Sequence, residues 1–401
     1  MATRMMPLCS RAVLRGLGPN AFALGARCSS TSAHGTAWKW WKKPAAVAAG
    51  AAVFGALSGT LHWKLSAASP AVEDSPQKST GNANTPLIVQ AQEVEPASWK
   101  NIKEPPNVPI ARKVSGAQPL PGIRLTLFQY QTCPFCCKVR AFLDYHGIPY
   151  DIVEVEPVLR QQIKFSTYKK VPIVLLREGN NCWQLNESSA IISILQSYRL
   201  NSEPGIQAYL NLYQPMKTKD PKGKEVLEVF NKYNLIYDPR EETLNEDAVS
   251  SEIKWRRWAD DHLVHVLSPN VYRSPTEALQ AFNYFSDVGD WKKLFPAWER
   301  YLVIYVGAAA MYLVGKRLQK KYNLKEDVRL SFYEACDTWT DYLGNGKFAG
   351  GKRPNLADLA VFGVLSSVEG CAAFDDVLKH TKIQRWFNDM KTATQRTDPT
   401  Y

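Results

Sequence analysis

Apolar and polar positions change their period several times along this 401-residue chain, and each change predicts an element. From Pro44 to Trp63 the run is uncharged, rich in Ala and Gly, and bordered by Trp38, Trp40, Trp41 and Trp63. A spanning helix needs about 20 residues, and aromatic residues at both ends suit the two membrane interfaces. Residues 44–63 are therefore expected to form a transmembrane helix. Residues 64–121 carry Pro, Ser, Asn and Gln with few apolar runs, the composition of a linker. Order is expected from residue 122. Arg124 to Tyr130 has a strand's apolar content, and Val139, Phe142 and Leu143 follow at helical spacing with Gly147 as the stop. Residues 150–156 alternate as a second strand, and Val158 to Tyr168 suits a helix. Residues 171–179 and 182–185 pair as a hairpin across Gly179, Asn180 and Asn181, and Glu187 to Tyr198 closes the series as a helix.

The order β-α-β-α-β-β-α is that of the thioredoxin fold, so residues 122–200 are expected to form an α/β thioredoxin-like (glutaredoxin) domain. Residues 201–250 are charged and irregular and read as a connecting insertion. Beyond them, helical stretches starting near Glu252, Ala297, Val328 and Leu356 predict an all-α domain over 251–393. Within it Tyr301 to Val314 is uncharged, but it is too short to span a membrane and is bracketed by Arg300 and Lys316. A buried core or dimer helix is the expectation there. Asn355 with Asp358 is a capping-box-like start for the last of these helices and is read as structural. Trp255, Trp258, His262 and His265 recur at helical spacing and read as a core stripe rather than a metal site.

Charge changes the picture only at the N-terminus. The formal net charge is +11, yet residues 1–72 hold eight of the 49 cations and none of the 38 acids, leaving the rest near neutrality. The excess therefore concerns targeting or membranes, and a nucleic-acid surface is not expected. The head, 1–43, is rich in Arg, Ser and Ala without acids and resembles a mitochondrial transit peptide. Of eight cysteines, Cys133, Cys136 and Cys137 crowd together and no spaced disulfide framework appears, so a compartment of reduced thiols is inferred.

The most specific chemistry is Cys133-Pro134-Phe135-Cys136 between a strand and a helix. A cysteine at a helix start faces unpaired N–H groups and the positive end of the dipole, which favour thiolate over thiol. Pro134 suits the first helical position, where an N–H would have no partner. Cys136 lies one turn on as motif partner. Zinc is disfavoured because no second cysteine pair completes a four-ligand site, and no metal is expected. Val171-Pro172 stands where a cis proline would leave a backbone edge free for a peptide-like ligand. Glu187 and Ser188, at the start of the last helix of this half, can hold an ammonium and a carboxylate respectively. A γ-glutamyl group carries both charges on one carbon, so glutathione is the expected ligand, bound by Val171, Pro172, Glu187 and Ser188. Tyr130, three residues before Cys133, can hydrogen-bond the thiol or a bound oxygen. Phe135 can wall an apolar substrate pocket or simply pack.

A glutaredoxin-like half followed by a helical half with Asn355-Leu-Ala-Asp358 is similar to glutathione transferases. Longer strings match one family more closely: TCPFCCKVRAFLDYHGIPY from Thr132, IKFSTYKKVPIV from Ile163, QLNESSAII from Gln184, KWRRWADDHLVH from Lys254, SPNVYRSPTEAL from Ser268, GAAAMYLVGKRL from Gly307 and RPNLADLAV from Arg353. They resemble the membrane-associated prostaglandin E synthase type 2 family over about residues 120–390 and the apolar head. The resemblance implies isomerisation of prostaglandin H2 to prostaglandin E2, with glutathione bound, haem association, a homodimer, and a Golgi-membrane protein released to the cytosol by proteolysis. The basic head alone points to mitochondria instead. Cys137 stands where a small polar residue is expected, and Glu187 replaces Asp. The residues also admit a glutaredoxin-type thiol–disulfide oxidoreductase, or a non-catalytic glutathione- or haem-binding protein.

Overall fold

The computed structural model describes residues 95–219, 223–236 and 245–395; the expected head, 1–43, and the expected span, 44–63, lie outside the described residues. The strands in chain order are β1 (Glu95–Pro96), β2 (Lys100–Asn101), β3 (Arg112–Val114), β4 (Ile123–Gln129), β5 (Tyr150–Glu154), β6 (Ile173–Glu178), β7 (Asn181–Asn186), β8 (Met216–Lys219) and β9 (Glu225–Glu228). Six of them form one sheet in the order β2-β7-β6-β4-β5-β3. At its centre β4 runs parallel to β5, with Leu127 opposite Ile152, and antiparallel to β6, with Leu127 opposite Val174. A parallel pair cannot be joined by a tight turn; helix α1 (Pro134–Tyr145) makes the crossover. The hairpin β6–β7 pairs Ile173 with Asn186 and leads into α2 (Ser188–Leu200).

Three expectations are corrected here. The stretch expected as linker contributes β1, β2 and β3, because backbone pairing at the sheet edges needs little apolar content. The helix expected over 158–168 is a single 3-10 turn, Gln161–Ile163. Arg160 is left-handed (φ 50°), and side chains serve the backbone locally: the Glu156 N–H donates to Gln162 Oε1 at 3.0 Å. Residues 201–250 hold α3 (Ile206–Leu212) and the strands β8 and β9, which with β1 build a second, three-stranded sheet.

The helical part begins with α4 (Glu246–Trp258), which passes through a π turn, Ala259–Leu263, into α5 (Val264–Val271). Then come α6 (Pro275–Val288), α7 (Trp291–Leu294), α8 (Ala297–Leu302), a π turn at Val303–Gly307, and α9 (Ala308–Lys321). The last four are α10 (Val328–Leu343), α11 (Leu356–Ser366), α12 (Ala372–His380) and α13 (Ile383–Ala393). Every residue of α11 is buried, as expected of a helix apolar on all sides. Asn355 and Asp358 form its capping box, and Asp358 also accepts from Trp386 Nε1 and the Ala349 N–H, each at 3.0 Å. The sheet half and the helical half share one hydrophobic core. They approach closely at Gly363, where a Cβ would meet Lys138 Cα at 2.5 Å. Trp255, Trp258, Trp339 and Tyr342 cluster, with Trp255 5.0 Å from Trp258 and 5.3 Å from Trp339 between ring centroids.

The apolar run Tyr301 to Val314 is part of a continuous helical stretch, Ala297–Lys321, which is long and apolar enough by composition to cross a membrane. Its outer face is not buried: Trp298, Tyr301, Tyr305 and Leu313 are all at least half exposed. The expectation of a buried core helix thus holds for one face only, where Val303, Ile304 and Ala308 pack on Phe282 and Trp291.

Candidate active site

Strand β4 ends at Gln129, and the next four residues bring Cys133 to the N-cap of α1 in extended conformation (φ −78°, ψ 123°). The Cys133 N–H donates to Tyr130 O at 3.0 Å, and the Cys137 N–H donates to Cys133 O at 2.9 Å, which fixes the turn at both ends. Pro134 occupies the first helical turn. Cys133 is partly exposed whereas Cys136 is fully buried, and both are free thiols. Their electrostatics are opposite. A hydrogen bond from the Cys136 thiol is the main reason Cys133 lies below the ordinary thiol value. The N–H groups of Cys136 and Phe135 and the charge of Arg140 add to it, against desolvation. Burial, then the Cys133 sulfur, push Cys136 well up. One sulfur thus favours the thiolate and the other the thiol. The N–H groups at the helix start contribute less to Cys133 than the neighbouring Cys136 thiol does.

Tyr130 sits beside this pair, and burial pushes its phenol up, so it stays protonated and can donate. Tyr168 was not anticipated. It is a half-buried tyrosine packed on the same small cluster as Tyr130, its phenol raised by desolvation and then by Glu187, Cys133 and Cys136. Phe135 is 8% exposed and lies in the main core, with the Lys138 ammonium 5.5 Å from its ring.

Behind the thiols lies a buried polar system that the sequence reading did not single out. Arg140 donates to Gln129 Oε1 at 2.5 Å, to Gln131 O at 2.7 Å and to Cys137 Sγ at 3.1 Å. Gln129 in turn donates to Gln131 Oε1 at 2.7 Å and to Glu154 Oε2 at 3.1 Å. Burial outweighs Arg112 and these donors at Glu154 and lifts its carboxyl to about 7. Cys137, whose own thiol donates to Gln131 O at 3.4 Å, belongs to this support and points away from the reactive edge.

The ligand corner forms where β6 begins. Val171-Pro172 is cis, and among the described residues neither backbone group of Val171 has a hydrogen-bond partner. Glu187 caps α2 with φ 72°, a left-handed position, and its Oε2 accepts from the Ala190 N–H at 2.9 Å. Non-glycine residues so placed cost about 1–3 kcal/mol and cluster at functional sites. Ser188 is 1% exposed, and its hydroxyl is buried with no partner among the described residues. Ser189 is tied inward: its hydroxyl donates to Asp260 Oδ2 at 2.7 Å and accepts from Lys138 Nζ at 2.9 Å. Asp260, in the π turn, also pairs with Lys138 and accepts from Tyr233 OH at 3.0 Å. Arg256 donates to Tyr233 O at 2.6 Å and to Ser193 Oγ at 2.8 Å. No sequence signal short of tracing contacts would have found Asp260, because its partners lie far along the chain. Among the described residues no group of His, Cys, Asp and Glu has the arrangement of a metal site.

Residues 127–199 match the model of the glutathione S-transferase N-terminal domain family. A mouse protein named Prostaglandin E synthase 2 is 50% identical over 278 residues, covering 68% of this chain and 71% of that one. A zebrafish protein of the same name is 50% identical over 291 residues, covering 71% and 75%. A solved glutathione S-transferase III in apo form aligns at 15% identity with a TM-score of 0.38, over 68% of this chain and 95% of that one, a likeness too slight to carry weight. At the identity and coverage of its mouse and zebrafish relatives, the chain belongs to the prostaglandin E synthase 2 family.

Proposed function

We propose that this protein is a glutathione-binding isomerase that converts prostaglandin H2 to prostaglandin E2, with Cys133 as the reacting group. The names of the relatives support the substrate. The observation that carries the mechanism is Cys133 at the N-cap of α1, partly exposed and with its thiol held below the ordinary value. The rearrangement breaks the O–O bond, turns one carbon–oxygen bond into a carbonyl and leaves the other oxygen as a hydroxyl. The Cys133 thiolate takes the proton from the carbon that becomes the carbonyl. That C–H electron pair forms the C=O as the O–O bond breaks. The departing oxygen is protonated by Tyr130, which is then restored by the new Cys133 thiol. No electrons enter or leave, so no disulfide forms and no step requires haem.

Glutathione fits the corner of Val171, Pro172, Glu187 and Ser188. The unpartnered Ser188 hydroxyl at a helix start suits a carboxylate, and the free Val171 backbone suits a peptide. When bound, it supplies a second thiol beside Cys133. We also read the division into 122–200, 201–250 and 251–393 as that of a glutaredoxin-like half, a connection and a helical half. Membrane attachment through residues 44–63, with a released form, and a homodimer complete the proposal. The exposed aromatic face of Ala297–Lys321 supports a further contact of one kind or the other.

The test is product formation. Cys133→Ser should lose about 10²–10⁴-fold of prostaglandin E2 formation, the usual worth of a positioned general base, while Cys136→Ser keeps most of it. The proximity of Cys136 to Cys133 favours a second reading, a glutaredoxin-type oxidoreductase. That reading predicts equal loss in both folded variants and turnover of a glutathionylated disulfide that needs both thiols.

A further inference from the structure

Helix α1 is 12 residues long, so its C-terminal end lies about 18 Å from Cys133. At that end a cavity of about 790 Å³ opens between the two halves of the molecule. Its walls include Tyr145 and His146 from the end of α1, Arg199 from the end of α2, and Lys352 and Arg353 from the loop before α11. Lys347, also on the rim, is neutralised by Asp389 at 3.3 Å. No carboxylate of the described residues pairs with Arg199, Lys352 or Arg353; Arg199 Nε donates only to the neutral Gln196 Oε1, at 3.0 Å. Cations scattered over a surface are ordinarily just solvated. Here three converge on one concavity, and Arg199 is desolvated enough for its pKa to fall below the usual value. Desolvation and Arg199 also hold His146 neutral, down to about 3. Among the described residues no carboxylate compensates these charges.

We propose that this cavity is a second ligand site, for an anion of two or more phosphates joined to a flat ring, the chemistry of a nucleoside di- or triphosphate. A single carboxylate would leave two of the three cations unmatched. Two of the three are guanidinium forks, whose geometry matches phosphate oxygens two at a time. The volume lies within the roughly 300–1,000 Å³ of small-molecule sites and exceeds what a lone phosphate needs. Pro119, Pro121, Pro354 and the half-buried Tyr145 ring supply flat apolar walls against which a base can lie. The inference is independent of the chemistry at Cys133.

Equilibrium dialysis of the full chain against ATP tests it, with inorganic triphosphate and adenosine as the other probes. ATP should bind saturably, one per chain, and Lys352→Glu and Arg353→Glu should each weaken it by about tenfold or more. Both variants should keep the wild-type affinity for glutathione, and ATP should not compete with glutathione. Triphosphate should bind at least several-fold more weakly than ATP, and adenosine should not bind measurably. Absence of saturable ATP binding, binding untouched by both substitutions, or displacement by glutathione would overturn the site. Triphosphate binding as tightly as ATP would overturn the ring.

Discussion

Cys133 and Cys136 differ by one helical turn, and the structure makes the second the chief support of the first. Removing the donor should therefore matter more than removing the sulfur. In Cys136→Ala the rate of iodoacetamide labelling at Cys133 should shift to higher pH, whereas Cys136→Ser, which keeps an O–H donor, should shift it less. A wild-type midpoint at or above the ~8.5 of a free thiol would rule out the thiolate. Ser188 makes a second residue-scale case. Its hydroxyl is buried and unpartnered, so it costs the empty protein stability while serving a ligand. Ser188→Ala should leave the thermal midpoint unchanged or higher, yet weaken glutathione binding by on the order of tenfold. Calorimetry reads both quantities, and unchanged affinity would move the carboxylate elsewhere.

Elements meet most tightly where α11 crosses α1. Gly363 has backbone on its face at 2.5 and 2.6 Å from a would-be Cβ, and main chain cannot swing aside as a side chain does. Gly363→Ala should destabilise by about 1–3 kcal/mol, the range of overpacked cores, despite alanine's better helix propensity. A denaturation midpoint that rises instead would contradict this packing. The other join is ionic. Asp260 holds Lys138, Ser189 and Tyr233 together, and removing one partner of a buried pair leaves an uncompensated charge. Asp260→Ala should cost about 3–5 kcal/mol, while the paired change Lys138→Met with Asp260→Leu should recover much of it.

Across the whole molecule, two desolvated groups narrow the pH range of stability from opposite sides. Glu299, on α8, is lifted from 4.5 to about 8 by burial and by the facing Glu156 carboxyl. A raised carboxyl favours the protonated fold, so its contribution is full below about 4.5 and is lost as pH rises through about 8. His146 is depressed from 6.5 to about 3, so the folded state resists its protonation and stability falls as pH drops between those values. Glu299→Gln should therefore raise the thermal midpoint at pH 9 relative to wild type and leave it nearly unchanged at pH 4. Thermal scans over pH check this, and parallel curves for the two proteins would count against the acid pair.

Much of the site was legible along the chain because its signals are local. A strand's apolar run, a cysteine at the next helix start, proline at the first turn, and a Glu-Ser pair opening a later helix are short-range patterns that backbone hydrogen bonding enforces wherever they occur. Family membership was legible in the same way, through strings around Cys133, Ser268 and Arg353. Periodicity failed where burial is decided by a second layer. Lys138 and Arg140, charged residues of α1, are 1% and 2% exposed, because α11 and the Gln129–Glu154 system cover them. The edge strands β1 to β3 were hidden for the converse reason: backbone pairing and single side-chain bonds, such as Arg112 to Gln131 Oε1 at 2.6 Å, order them without an apolar pattern to announce it. Spacing along one helix determined which sulfur meets the N-terminal N–H groups. Only the tertiary structure brought Asp260 to Lys138 across 122 positions, since a buried charge is tolerated only where the fold delivers its partner.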